Sequence, residues 1–161
     1  MKTISFLISL VCFFSLSSQN LSLDDSETYA VVVGISDYQD EGIPDLRFAD
    51  KDALAFAGFL QSTMGGSLDE DHLKVLLNEE ATMGEFAMTL DWLLEVASEQ
   101  DKVIVYFSGH GEMDKVFDEG FWVPVKAAIG EHDQYIPNSQ INTFLNLFLF
   151  FFYILLFWSK P

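Results

Sequence analysis

Lys102-Val103-Ile104-Val105-Tyr106-Phe107-Ser108-Gly109-His110-Gly111 decides how this chain is read. A run rich in β-branched and aromatic residues stops at Ser108, and a histidine then stands between two glycines. The run has the signature of a buried strand in a parallel sheet. The glycines predict a sharp turn that brings the imidazole to the open end of that sheet. Ligands bind at that end in open α/β folds, so His110 is a candidate general base. The chain's one cysteine, Cys12, lies in the wrong place to partner it.

The 161 residues allow one domain with a real core. Half of them are hydrophobic, concentrated toward both ends, and every Asp and Glu falls between Asp24 and Asp133. The formal net charge of −17 repels nucleic acid and anionic membrane, so neither DNA nor RNA is an expected partner. It tolerates cationic peptides, although solubility alone accounts for it. Residues 1–19 read as a secretory signal: Met1-Lys2 is a short basic start, 4–16 an apolar stretch, and small polar residues follow. Cleavage between residues 17 and 21 would remove Cys12 and leave a mature chain without disulfide or thiol nucleophile. The expected location is therefore periplasmic or extracellular, and a membrane-anchored form is the alternative.

Residues 29–35 form a continuous apolar run, the expected first parallel strand. Residues 36–45 carry the turn residues Asp37, Asp40, Gly42 and Pro44. Apolar residues recur at helical spacing over 46–62, with Ala49, Ala53, Phe56, Ala57 and Leu60 on one side. A second strand is expected over 72–77. Thr82 and Glu85 have the spacing of a capping box before a helix that runs to about residue 98. After the histidine strand, 120–125 reads as a short strand, paired as a hairpin with 113–117, and 136–146 begins like another helix. Strands alternating with helices predict an α/β domain with a mostly parallel sheet.

Residues 147–158 stand apart. This unbroken Phe- and Leu-rich run has no polar alternation, cap or turn. A membrane span needs roughly 20 apolar residues. A buried strand usually takes about 4–8. The preferred reading is an artefact such as a shifted reading frame or truncated gene, with a membrane anchor second.

Several blocks, in order, resemble the caspase-like cysteine peptidases, and specifically their metacaspase-like bacterial branch. Tyr29-Ala30-Val31-Val32-Val33-Gly34-Ile35 is similar to the family's first strand. Leu46-Arg47-Phe48-Ala49-Asp50-Lys51-Asp52-Ala53 looks like the start of its first helix. Leu77-Asn78 with Ala81-Thr82 looks like the approach to its second helix. Residues 101–111 look like the histidine strand, and Gly120-Phe121-Trp122-Val123-Pro124-Val125 like the strand that follows. The resemblance covers most of 28–146. It implies a three-layer α/β/α sandwich with a mostly parallel sheet, here incomplete at its C-terminal side.

The resemblance also implies a mechanism. A cysteine thiolate attacks the peptide carbonyl, and a histidine manages the proton on the leaving amine. His110 matches the histidine, and the backbone N–H of Gly111 matches an oxyanion donor. In such enzymes the cysteine follows the histidine by about 50 residues, typically in an Asp-x-Cys-x-Gly context. That count falls at the end of the 161 residues, where the Phe/Leu run stands. As written, the chain should not cleave peptides by this route. Asp37 and Arg47 match positions near the substrate side-chain pocket. A metacaspase-like preference for Arg or Lys before the cut would call for a carboxylate such as Asp37.

Other motifs carry less. Asp69-Glu70-Asp71-His72 lacks spaced metal ligands. His132 has no partner legible in sequence. Gly65-Gly66 lacks the Lys-Ser/Thr of a phosphate loop. No cofactor or metal is expected. The expected partner is a peptide or protein, with basic residues as one option. Two functions follow: a fragment of an exported caspase-like endopeptidase without its nucleophile, or a non-catalytic caspase-like binding module, tethered to a membrane only if 147–158 is a genuine anchor.

Overall fold

The computed structural model describes residues 26–148 and the backbone of 150–158. The signal-peptide reading and Cys12 fall outside these residues. Strand β1 (Thr28–Gly34) leads to helix α1 (Ala49–Gln61), strand β2 (Leu73–Leu77) and helix α2 (Met83–Val96). Strand β3 (Lys102–Asp114) turns into β4 (Glu119–Trp122). A two-residue strand β5 (Ile136–Pro137), helix α3 (Asn138–Leu145) and strand β6 (Phe150–Trp158) complete the order.

The sheet has two halves that share β3. β1 lies parallel between β2 and β3, and β6 lies parallel to β3. β4 runs antiparallel to β3, and β5 antiparallel to β4. Alternation along β1 explains why its sequence is apolar throughout. Ala30 and Val32 join Ala53, Ala57 and Leu60 of α1 in one core cluster. Val31 and Val33 face Phe86 and Leu93 of α2 and Ile141 and Leu145 of α3 in the other. The chain is thus an α/β sandwich with helices on both faces of its sheet, the architecture that the resemblance implies. Gly34 lets α1 cross close to β1, because a Cβ there would collide with the Ala53 methyl.

Four local readings are revised. α1 starts at Ala49, three residues later than the periodicity suggests. The Ser36 hydroxyl accepts from the Asp50 N–H at 3.1 Å and donates to the Asp50 carboxylate at 2.6 Å, which ties the helix start to the end of β1. Residues 136–137 pair with β4 before α3 begins. The turn expected after Ser108 is absent, since β3 continues unbroken to Asp114. Gly109 serves close approach instead: a Cβ there would stand 2.9 Å from the Tyr38 hydroxyl and 2.9 Å from Phe107 Cζ. Residues 150–158 form a strand, the option that length disfavoured, in register with 102–110. A parallel partner for β3 satisfies the backbone groups on its second edge, so the run is held by the ladder despite lacking alternation. No helix among the described residues is long and apolar enough to cross a membrane.

The Thr82 hydroxyl caps α2 as its spacing predicts, accepting from the Glu85 N–H at 3.1 Å. Asp101 anchors the start of β3. Burial opposes its charge, but the Ser98 N–H (2.7 Å), the Glu27 N–H (2.8 Å) and the Ser98 hydroxyl (2.9 Å) outweigh it and hold the carboxyl below its usual range. Its stabilising contribution is therefore present above the unfolded carboxylate pKa and lost as pH falls through the lowered folded value. An Asp101→Ala variant leaves three donors without this acceptor. It should lose about 1–3 kcal/mol in urea unfolding at pH 7 and less of its stability to acid than the parent.

Candidate active site around His110

His110 sits where the parallel part of β3 ends. β1 pairs as far as Ser108, and β6 as far as His110 itself. Its backbone N–H donates to the Tyr38 hydroxyl at 2.7 Å, and the two rings lie 4.9 Å apart, tilted by 58°. Burial pushes the Tyr38 phenol well above its ordinary pKa, so it stays neutral.

The imidazole Nε2 lies 2.6 Å from the Pro44 carbonyl oxygen. A carbonyl oxygen can only accept, so Nε2 carries the hydrogen and the neutral ring keeps its lone pair on Nδ1. The Pro44 carbonyl therefore orients the ring and selects its tautomer, as an orienting third group does for a catalytic histidine. A loop proline gives no sequence sign of this role, because the carbonyl belongs to the backbone.

Backbone groups along a strand alternate between its two edges. Ser108 O accepts from Ile35 N, and His110 O accepts from Val123 N, both toward the β1 and β4 side. Gly111, one residue on, directs its N–H to the opposite edge, the β6 side. The imidazole and the expected oxyanion donor are thus adjacent in the strand.

The structure joins some of the sequence candidates and separates others. His110 and Gly111 line one cleft of about 460 Å³ with Ile43, Pro44, Glu112 and Tyr135. Asp37 is exposed and lines a second cleft of about 610 Å³ with Tyr38, Asn78, Glu79 and Glu80. Arg47 is exposed, lines neither cleft, and lies with its guanidinium carbon 4.9 Å from the Phe48 ring centre.

His132 has the partners that sequence did not show. Its Nε2 lies 3.0 Å from Glu112 Oε1 and its Nδ1 3.6 Å from Asp114 Oδ2. Phe121 stacks on its ring at 4.9 Å. β4 brings these residues together from 20 positions away, a distance no local pattern reports. The Glu112 hydrogen bond, aided by the charges of Glu112 and Asp114, raises the His132 pKa above its ordinary 6.5. A raised folded pKa makes this tie strongest below the unfolded value and weakens it as pH rises through the folded one. The His132 ring protons should titrate above pH 6.5 by NMR, and Glu112→Gln should bring the midpoint down.

The acidic run at residues 69–72 resolves as a local pair, with His72 Nδ1 2.6 Å from Asp69 Oδ1 and its ring stacked on Tyr29. Among the described residues, no group of three His, Cys, Asp or Glu could hold a metal ion.

The model of the caspase domain family matches residues 27–152. No curated protein matches the sequence. Among solved structures, the crystal structure of protein GSU0716 from Geobacter sulfurreducens is similar, with a TM-score of 0.59 at 14% identity. The match covers 80% of this chain and 48% of that one, so the chain spans about half the length of that protein. At this identity the likeness concerns the fold.

Proposed function

Because this chain belongs to the caspase domain family, we propose that it carries the histidine half of a cysteine-peptidase site and that these 161 residues cleave no peptide by themselves. The family's function is of the cysteine-peptidase type, on protein or peptide substrates. The observation that carries the finer reading is the His110 imidazole, oriented by Pro44 O and Tyr38 at the carboxyl end of the parallel strands. In this reading His110 Nδ1 is the base toward a thiol, the Gly111 N–H serves the oxyanion, and the thiol belongs on the strand position beside β3 that β6 occupies. Residues 147–158 would then be a displaced sequence in place of the cysteine strand.

The alternative, a non-catalytic binding module, draws support from the second cleft. Asp37, Glu79 and Glu80 give it three carboxylates, which suits a basic peptide residue. Export through residues 1–19 belongs to either proposal.

Fluorogenic peptides test the main reading. The 161-residue protein should show no turnover above the background of its His110→Ala variant. DNA following the codon for Asn146 should encode an Asp-x-Cys-x-Gly strand in one of its three forward frames. Turnover that depends on His110 would overturn the missing-thiol reading. Absence of the motif from every frame would remove the displaced-strand proposal and leave the binding module.

A further inference from the structure

We infer that the cleft beside His110 receives the side chain on the leaving-group side of the scissile bond, and that it selects an uncharged, apolar one. The inference rests on the peptidase-type reading above and adds the substrate preference of its site. The histidine of such a site hands its proton to the departing amine. A pocket walled by that histidine therefore lies along the leaving segment of the peptide.

The pocket's chemistry is apolar even though the surrounding surface is acidic. Ile43, Val123 and Tyr135 are buried and form its base, while Met113 and Ile129 stand at its exposed rim. The polar tip of Tyr135 is already used: its hydroxyl donates to Ala128 O at 3.0 Å and accepts from Gly130 N at 2.8 Å. What Tyr135 adds to the cleft is ring surface.

One of the two charges in the lining is also engaged. The Glu112 carboxylate is held 3.0 Å from His132 Nε2, so a basic side chain would compete with a partner already in place. Lys115, at the exposed hairpin turn, is the other charge in the lining. A buried ion pair made here would have to repay desolvation, whereas an aliphatic side chain gains from contact with Ile43, Met113 and Ile129 without that penalty.

The walls are preformed. Asp40 accepts from the Gly42 N–H at 2.7 Å and from the Ile129 N–H at 2.9 Å, one carboxylate joining the two loops that face each other across the rim. A Cβ on Gly42 would stand 3.1 Å from Ile129 Cγ2, so a side chain there would press on the rim residue.

The leaving fragment of a peptide begins with a free amine, so the probes are tetrapeptides Xaa-Ala-Ala-Ala with Xaa as Leu, Lys or Asp. Binding to the 161-residue protein is followed through its isoleucine methyl resonances. The Leu peptide should shift the Ile43 and Ile129 methyls and bind about tenfold more tightly than the Lys or Asp peptide, a discrimination within the range of apolar pockets. Ile129→Asp should abolish that preference. Ile129 is 59% exposed, so the substitution spares the core, and Met113→Asp at 56% exposure is the second variant.

Equal or tighter binding of the Lys or Asp peptide would overturn the inference. So would shifts confined to isoleucines away from the cleft, such as Ile141. These outcomes differ from failure of the peptidase-type reading, because they concern binding in a chain without a cysteine beside His110. A cysteine-restored chain that binds Leu-Ala-Ala-Ala selectively but never cuts would sink that reading and leave the pocket in place.

Discussion

A Trp158→Cys variant will react with iodoacetamide at pH 6 at least about tenfold faster than the same variant carrying His110→Ala. Residue 158 is the partner of His110 in the parallel register of β3 and β6. Paired residues on neighbouring strands lie within about 5 Å of each other in backbone terms. A free thiol with a pKa near 8.5 is almost wholly protonated at pH 6. An adjacent imidazole that takes its proton becomes a cation beside the sulfur and lowers that pKa, which multiplies the reactive thiolate. The gain is smaller than the rise in thiolate fraction, because a less basic thiolate is a weaker nucleophile. Equal rates with and without the imidazole would show that β6 does not occupy the position from which a thiol reaches His110. Cys12 is replaced by serine in both proteins, so that one thiol is measured.

The second large effect concerns Trp122. Its side chain is 1% exposed, stacks on Phe107 at 4.7 Å and meets Phe86 edge-on at 5.5 Å. Trp122→Ala should cost about 3–5 kcal/mol, from lost burial and the cavity left behind. The indole N–H is buried without a hydrogen-bond partner among the described residues. Trp122→Phe removes that donor along with part of the ring. Relief of an unsatisfied buried group, worth about 1–3 kcal/mol, offsets much of the lost packing. The phenylalanine variant should therefore lie within about 2 kcal/mol of the parent in urea unfolding. Equal losses for the two variants would mean that the indole N–H is satisfied after all. Trp122 is also the register partner of Gly111, so the alanine variant should broaden His110 resonances while the phenylalanine variant leaves them sharp.

How much of this could be read beforehand depends on how local each signal is. The apolar runs of β1 and β3 are buried on both faces, and this shows in their unbroken composition. The Thr82 cap is a contact across three residues and is visible as a spacing. His110 is legible because it stands between two glycines within a recognisable block, although the strand runs on past it. Its orienting partners are not. The Pro44 carbonyl lies 66 positions away and Tyr38 lies 72 positions away, and neither contact leaves a periodic trace.

The two glycines mislead for a related reason. Glycine permits a turn, but it also permits close approach, and Gly109 answers to the Tyr38 hydroxyl rather than to a bend. The 147–158 run misleads by composition, since length and lack of alternation argue against a strand while the vacant edge of β3 provides one with backbone partners. Asp37 and Arg47 are near neighbours in sequence, yet Asp37 lines the second cleft while Arg47 lies over the Phe48 ring and lines neither cleft.

β3 spans 13 residues and is hydrogen-bonded into both halves of the sheet. Fraying at an edge therefore cannot loosen the imidazole alone: freeing it means breaking ladders on both flanks, a rearrangement as large as global unfolding. The loops at residues 40–44 and 128–130 are tied to each other through Asp40, so an arriving peptide meets a histidine and a rim that are both already held in place.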